Sequence, residues 1–463
     1  MTQNTPEFPA PYGQDVSGPE KDLTADEASF GRDEKKGDLP PYAQDAFGDE
    51  EFAEVKYKTL RWWQCGLLMV AETVSLGVLS LPAAFAGLGF VPALIILVAL
   101  GLFATYTGFV IGQFKMRYPQ VMNMADAGEV LAGSWGREIL GVAQMLFFIF
   151  VMASHILTFT VALNTLTDHG TCSIVFSIVG MVVSFILCLP RTLEKMSWLS
   201  LVSFISIFSA VMICMVGVGI SKPGANTIVA VADTNLYHGF TAVTNIVFAF
   251  CGHAAFFGLA AELKDPRDFP KGLCLLQGID ISLYLIAAVV IYRFGGADVD
   301  SPALSSAGPI VSKVAYGIAL PTILIAGVIY GHIASKYLYL RIFNGTDRVH
   351  KRDFIAVGSW IGIALTLWVI AWVIASAIPV FKNLLSLITA LFASWFTYGL
   401  CGIFWLFMNK GLWFSNWKKI CLTFLNFLAI AVGCVLCGMG LWVSGKALHD
   451  NPSSESFSCA NNA

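Results

Sequence analysis

Three ionisable side chains, Glu72, His253 and Asp280, sit deep inside long apolar runs of this 463-residue chain. Charge is costly in hydrocarbon, so such groups face a bundle interior or a wet cavity and mark a path for an ion or a proton. Glu72 and Asp280 are candidate proton carriers. His253 is the third, because histidine changes charge nearest neutral pH. Each has a plainer reading as well: Glu72 as a strut bonded to backbone, His253 as a hydrogen-bond group at a helix end that never changes charge. His155 and His332 read more simply as interhelical bonds.

Two of these groups stand beside sequences that interrupt a helix. Glu72 precedes Ser75, Leu76 and Gly77 in an apolar run from 62 to 89 that also holds Pro82. His253 follows Phe248, Ala249, Phe250, Cys251 and Gly252 in a run from 239 to 263. Glycine permits backbone geometry that other residues resist. A broken helix in lipid leaves N–H and C=O groups that must be buried in protein or line a cavity. Taken alone, either break reads as close helix packing through small residues. Their occurrence at matching places in two halves of the chain points to a binding site at the bilayer midplane.

Composition sets the frame. Hydrophobic residues make up 56% and charged residues 13%, too little charge to cover an ordinary soluble domain. Eleven apolar spans are predicted at about 62–89, 91–114, 138–167, 171–190, 197–220, 239–263, 272–294, 314–336, 354–377, 380–408 and 418–444. Each is near the ~20 residues needed to cross hydrocarbon. Gly87, Gly89 and Pro92 make a tight turn between the first two. Residues 1–60 hold 14 of the 31 acidic residues and few aliphatics, the composition of a disordered tail. Residues 446–463 form a short tail at the other end. With the N-terminus cytoplasmic, the inner loops carry 19 of the 28 Lys and Arg and the outer side 5. That asymmetry supports the count and puts the C-terminus outside or in a lumen.

Spans 1–5 and 6–10 form two halves, and an odd number of spans per half makes the second enter with inverted topology. Freed N–H groups at Ser75, Leu76 and Gly77 would receive a carboxylate. Freed carbonyls from Phe248 to Cys251 would receive a protonated amine. Donors and acceptors a few ångströms apart suit the α-carboxylate and α-amine of an amino acid.

Two stretches carry a family resemblance. One is Glu72 onward through Gly77, Val78, Leu79, Ser80, Leu81, Pro82, Ala83, Ala84 and Phe85. The other is Phe248 to His253, followed by Glu262, Leu263, Lys264, Asp265, Pro266, Arg267, Asp268, Phe269, Pro270 and Lys271. Over roughly residues 60–445 the chain resembles the amino acid/auxin permease family, and within it the fungal neutral and aromatic amino-acid permeases of the methyltryptophan-resistance type. The resemblance implies an all-α integral membrane protein with a LeuT-like 5+5 inverted repeat, spans 1 and 6 discontinuous, and an eleventh helix outside the repeat. It implies secondary transport of neutral amino acids, with plasma or vacuolar membrane as alternatives. Sodium-coupled members carry an Asn early in the first motif, where this chain has Val70, Ala71 and Glu72. The eighth span also lacks a Ser/Thr pair near Ile325, Ala326 and Gly327. Both departures favour a proton over sodium as coupling ion; no other cofactor, metal or catalytic residue is expected.

Rival classes leave little trace. An intramembrane protease needs motifs that are absent: Gly278, Ile279 and Asp280 lack the second glycine and the partner motif. No basic patch suits nucleic acid. A non-transporting amino-acid receptor stays open. Ser197, Ser200, Ser203, Ser206 and Ser209 form a stripe for close helix packing. Phe147, Phe148, Phe250, Phe256 and Phe257 are candidates to shape a side-chain pocket. Glu262, Lys264, Asp265 and Arg267 read as an inner gate. Of the 11 cysteines, Cys172 and Cys459 lie near the outer side, unpaired by anything in the sequence. Leu39, Pro40, Pro41 and Tyr42 fit a ligand for the WW domain of a ubiquitin ligase.

Overall fold

The computed structural model describes residues 57–191, 193–224, 227–343, 346, 353–450 and 456–461. The Leu39 to Tyr42 motif lies outside them. The described residues form α1 (Trp62–Leu88), α2 (Phe90–Arg117), α3 (Met124–Thr167), α4 (Ser173–Leu187), α5 (Leu193–Ser221), α6 (Leu236–Phe248), α7 (His253–Ala261), α8 (Phe269–Gly295), α9 (Pro309–Phe343), α10 (Phe354–Ala377), α11 (Phe381–Ile388), α12 (Leu400–Met408) and α13 (Trp417–Asp450). A π-helical stretch, Thr389–Gly399, joins α11 to α12.

Among the described residues ten helical segments are long and apolar enough to cross a membrane, with α6 and α7 together making one and α11 to α12 another. The shorter Ser173–Leu187 is the fourth apolar span. Polar residues start several of these helices. Asn123, Asn235 and Asp353 accept from the N–H three residues on, at Asp126, His238 and Ala356, which satisfies donors that a helix start leaves open. α1 and α2 are separated by Gly89 alone. Its φ of +84° favours glycine, and a Cβ there would come within 2.5 Å of the Ala232 nitrogen, so the tight turn expected from the sequence is tighter still.

Burial sorts the spans. The most apolar windows of α1 and of α6 to α7 are 89% buried, against 28% for α13 and 33% for α10. Spans 1 and 6 therefore form the centre, and the outer helices face lipid.

Several expectations need correction. Span 1 is a single helix, Trp62–Leu88, without the interruption expected at Ser75, Leu76 and Gly77. One glycine in a helix interior costs only ~1 kcal/mol, and buried packing along most of span 1 outweighs it. Span 3 begins earlier than expected: α3 starts at Met124 and bends at Ala132 and Gly133 (φ +64°) before crossing. The end of the acidic tail is packed: Tyr57 and Leu60 are buried, and Leu60 N donates to Glu262 O (3.0 Å) while Leu60 O accepts from Lys264 N (2.9 Å), a parallel bridge to Leu263. The last helix runs to Asp450, past the expected boundary. Cys172 and Cys459 form a disulfide.

Candidate functional site

Span 6 is interrupted where the sequence placed it, between Phe248 and His253. The chain tightens there into three-residue turns, with Phe250 N donating to Val247 O (3.1 Å) and Cys251 N to Phe248 O (3.1 Å). That leaves the Ala249 carbonyl without its ordinary helical donor. The Tyr284 hydroxyl of α8 supplies one, 2.9 Å from Ala249 O and 3.0 Å from Thr73 O of α1. One phenol proton is thus shared between spans 1 and 6, and a buried carbonyl that would otherwise be costly is satisfied.

Gly252 shows why a side chain is missing at the end of the break. A Cβ there would stand 2.8 Å from Thr73 Oγ1 and 3.1 Å from Glu72 Oε1. The Glu72 carboxyl group therefore lies against the backbone where α7 begins. The first N–H groups of that helix point outward from its N-terminus and favour negative charge. Gly77 makes the other close approach: its Cβ would lie 2.8 Å from Ala249 Cα. Ser75, Leu76 and Gly77 are buried in continuous helix, so the donors expected from an unwound span 1 are absent. Gly77 serves as the contact that lets span 1 touch the break in span 6.

Glu72 is buried, and neither carboxylate oxygen has a hydrogen-bond partner among the described residues; the same holds for Asp280. Asp280 and Tyr284 stand one helical turn apart, on one face of α8. Glu72 and Tyr284 meet at the break, and Tyr330 packs on Phe147 and Phe148. His253 points elsewhere. Its Nε2 lies 2.9 Å from Ala104 O and 3.1 Å from Thr107 Oγ1 in α2. A bond to a carbonyl requires Nε2 to carry the proton, so His253 fastens α7 to α2, the helix-end role. His155 likewise donates from Nδ1 to Ile323 O at 2.8 Å.

The five phenylalanines do not gather in one place. Phe147 packs with Phe148, Tyr330, Phe392 and Phe396 at ring separations of 5.7 to 6.3 Å. Phe250 meets Tyr284. Phe256 packs on His253, and Phe257 on Phe114 and Phe404. The serine stripe clamps α5 to its neighbours: Ser197 accepts from Gln64, Ser203 bonds Thr322, and Ser206 donates to Ile318 O.

Just past α7 Glu262 pairs with Lys336 of α9 rather than with its sequence neighbours, and both are buried. Lys336 also stands 4.4 Å from the centre of the Tyr57 ring. Asp265 and Arg267 form an exposed pair at 3.9 Å. A small cavity of about 30 Å³ beside this pair is lined by residues that include Asn123, Gln144, Gly258, Glu262, Lys336 and Tyr337. Tyr284, Tyr330 and Lys336 escaped the sequence reading. The signal for Tyr284 was its spacing of four from Asp280. The signal for Lys336 was a lone cation at the end of an apolar run.

Residues 58–445 match the family described as transmembrane amino acid transporter protein. An N amino acid transport system protein of Neurospora crassa is 37% identical over 419 residues, 88% of this chain and 89% of that one. Amino acid transporter AVT1H of Arabidopsis thaliana is 25% identical over 396 residues, 82% and 88% of the two chains. Among solved structures, MhsT in complex with L-phenylalanine aligns with a TM-score of 0.55 at 12% identity, covering 83% of this chain and all of that one. Mhp1, a nucleobase-cation-symport-1 family transporter, aligns with a TM-score of 0.55 at 13% identity, covering 92% and 98%. The fold is therefore LeuT-like.

Proposed function

Because the chain belongs to the transmembrane amino acid transporter protein family, we propose that it imports neutral amino acids, aromatic ones included, by proton symport. Amino-acid transport across a membrane is the family's activity; substrate range and coupling ion are our reading. The observation that carries it is Glu72, buried, without a partner among the described residues, and pressed against Gly252 at the break in span 6. A carboxylate in that position is costly unless a proton or a cation neutralises it.

The substrate carboxylate meets the first N–H groups of α7, and the amine meets Glu72 and the backbone of Phe250 and Cys251. Phe248 O and Ala249 O already accept from Cys251 N and Tyr284. The substrate side chain faces the Phe147, Phe148, Tyr330 and Phe392 cluster, an uncharged aromatic surface that suits neutral residues. Asp280 and Glu72 share the work of holding the proton. The Glu262–Lys336 pair closes the inner path in this conformation, and alternating access opens it around the fixed central site. The Lys and Arg distribution favours a cytoplasmic N-terminus; we place the protein in the plasma membrane, and microscopy of a tagged protein separates this from a vacuolar location. The Leu39 to Tyr42 motif remains a proposed ubiquitin-ligase docking segment, excluded if a Tyr42→Ala tail captures WW domains equally well.

The test is uptake of radiolabelled neutral amino acids into proteoliposomes under an inward proton gradient. Absence of uptake rejects the proposal. Glu72→Gln should abolish gradient-driven accumulation and leave exchange, and unchanged accumulation would exclude Glu72.

A further inference from the structure

One end of the bundle brings together the last turns of α2 and α12 and the first turns of α8 and α13. α2 packs on α8 and α12, and α12 packs on α13. Between these four ends lies a cleft of about 630 Å³, within the range of about 300–1,000 Å³ usual for small-molecule sites. Its charged lining residues are all cations: Arg117 of α2, Arg267 in the turn before α8, and Lys419 of α13. Arg117 is exposed and makes no ion pair among the described residues. Arg267 meets Asp265 at 3.9 Å with both side chains more than half exposed, a contact worth little in water. Lys419 is held in place: its Nζ donates to Asn409 Oδ1 and stands 5.2 Å from the centre of the Trp405 ring. The loop before it is fastened as well. Trp413 Nε1 donates to Leu406 O (2.9 Å), and Thr423 Oγ1 donates to Trp413 O (3.0 Å).

Away from the helix ends the lining turns apolar. Phe109, Gly112 and Met116 of α2 recur at spacings of three and four, so they share one face. Met408 of α12 and Leu422 of α13 continue that surface. Phe109 lies about 12 Å from Arg117 along the helix axis, at 1.5 Å per residue. Phe109 and Met116 are large, apolar and nearly half exposed. Phe414 and Trp417, at the approach to α13, are about two-thirds exposed, next to Lys418 and Lys419. Aromatic and basic residues mix in this way where a helix passes from hydrocarbon to headgroups. The cleft thus has cations at one end and an apolar face that continues toward mid-membrane. A soluble anion would leave the apolar part uncovered, and a neutral lipid would give the cations no counter-charge. A phosphate headgroup joined to an acyl chain satisfies both, and basic pockets between spanning helices hold anionic headgroups for this reason.

We propose that the cleft between α2, α8, α12 and α13 binds one anionic phospholipid, its phosphate between Arg117, Arg267 and Lys419 and an acyl chain along Phe109, Met408 and Leu422. The inference needs the chain to span a membrane. It does not depend on which solute is carried or on the coupling ion.

The experiment is native mass spectrometry of the purified full-length protein in detergent, titrated with dioleoyl phosphatidylserine or dioleoyl phosphatidylcholine. It uses no substrate and no gradient, so its failure and that of amino-acid symport are distinguishable. The one-lipid complex should form at a concentration at least about five-fold lower with phosphatidylserine, since each cation near a headgroup favours binding by about that factor. The double variant Arg117→Gln/Arg267→Gln removes two exposed charges of the cleft and should abolish the preference. Lys410→Gln/Lys418→Gln removes two charges from the same end of the bundle but outside the cleft, and should keep it. Melting temperatures of both variants confirm that they are folded. Equal binding of the two lipids by the wild type overturns the site. Equal loss in both double variants overturns it too, since that would be general surface attraction. Displacement of phosphatidylserine by excess inorganic phosphate would assign the cleft to a soluble anion and overturns the lipid as its occupant.

Discussion

Glu72 and Gly252 meet through an absent side chain: a Cβ on Gly252 would lie 3.1 Å from Glu72 Oε1 and 2.8 Å from Thr73 Oγ1. This pairing brings a carboxyl group from one half of the chain to the break in the other half. It accounts both for a glycine at 252 and for the location of the site.

Gly252→Ala tests the pairing directly. Its φ of −67° allows alanine, so any effect comes from contact alone. The new methyl must displace Thr73 and the Glu72 carboxyl group. We expect uptake to fall at least about ten-fold, with a loss of about 1–3 kcal/mol in stability. Gly258→Ala is the control, because its nearest neighbour would be 3.6 Å away. Uptake and melting temperature of both variants, in one reconstitution, check the outcome.

Tyr284→Phe removes the donor shared by Thr73 O and Ala249 O. A buried carbonyl left without a donor costs about 1–3 kcal/mol. The expected result is a lower melting temperature together with slower exchange. Wild-type kinetics would show that the break holds its shape without this bond.

The Glu262–Lys336 pair should behave as a buried ion pair. Removing either partner strands a charge and costs about 3–5 kcal/mol, whereas replacing both with uncharged residues costs less. Glu262→Gln and Lys336→Met are each expected to destabilise more than the double variant. A double-mutant cycle on thermal unfolding measures this, and additive single effects would refute it.

Tyr57, just before α1, gives a pH signature. Burial pushes its phenol up to about 12, against the opposing pull of Arg191. A hydroxyl whose folded value lies above its unfolded value of 10.0 contributes its full stabilisation below the unfolded value and loses it as pH rises through the folded one. Thermal stability should therefore fall more steeply between pH 10 and about 12 in the wild type than in Tyr57→Phe.

Coupling to a proton rather than sodium has its own check. His155 occupies the side of span 8 where a hydroxyl pair was sought, and a Cβ on Gly327 would be 2.8 Å from its Cβ. Replacing external sodium by choline should leave uptake unchanged, and dissipating the proton gradient should abolish accumulation.

Much of this was legible in the chain. Span positions follow from apolar runs of membrane length, and their ends differ from the helices mainly where a helix outlasts its apolar core, as at Met124 and Asp450. The break in span 6 was legible because Gly252 lies among small residues with a polar neighbour, His253. The supposed break in span 1 was misread. Ser75 and Gly77 carry the same local signal, yet there it marks a crossing point. A helix interrupted at glycine and a helix narrowed at glycine look alike in sequence, since the difference lies in what packs against the missing side chain.

Sequence by itself determined the class of the molecule: the number of spans, two halves, acids in hydrocarbon and motifs of a family. Those properties depend on composition and on order along the chain, and transfer of apolar residues to lipid makes them nearly independent of one another. Tertiary structure alone decided that Glu72 meets the break, that His253 bonds α2, that Lys336 answers Glu262, and that Cys459 joins Cys172. Each of these is a contact between residues tens to hundreds of positions apart. Such contacts depend on how helices rotate and cross, and no local pattern in the chain encodes that.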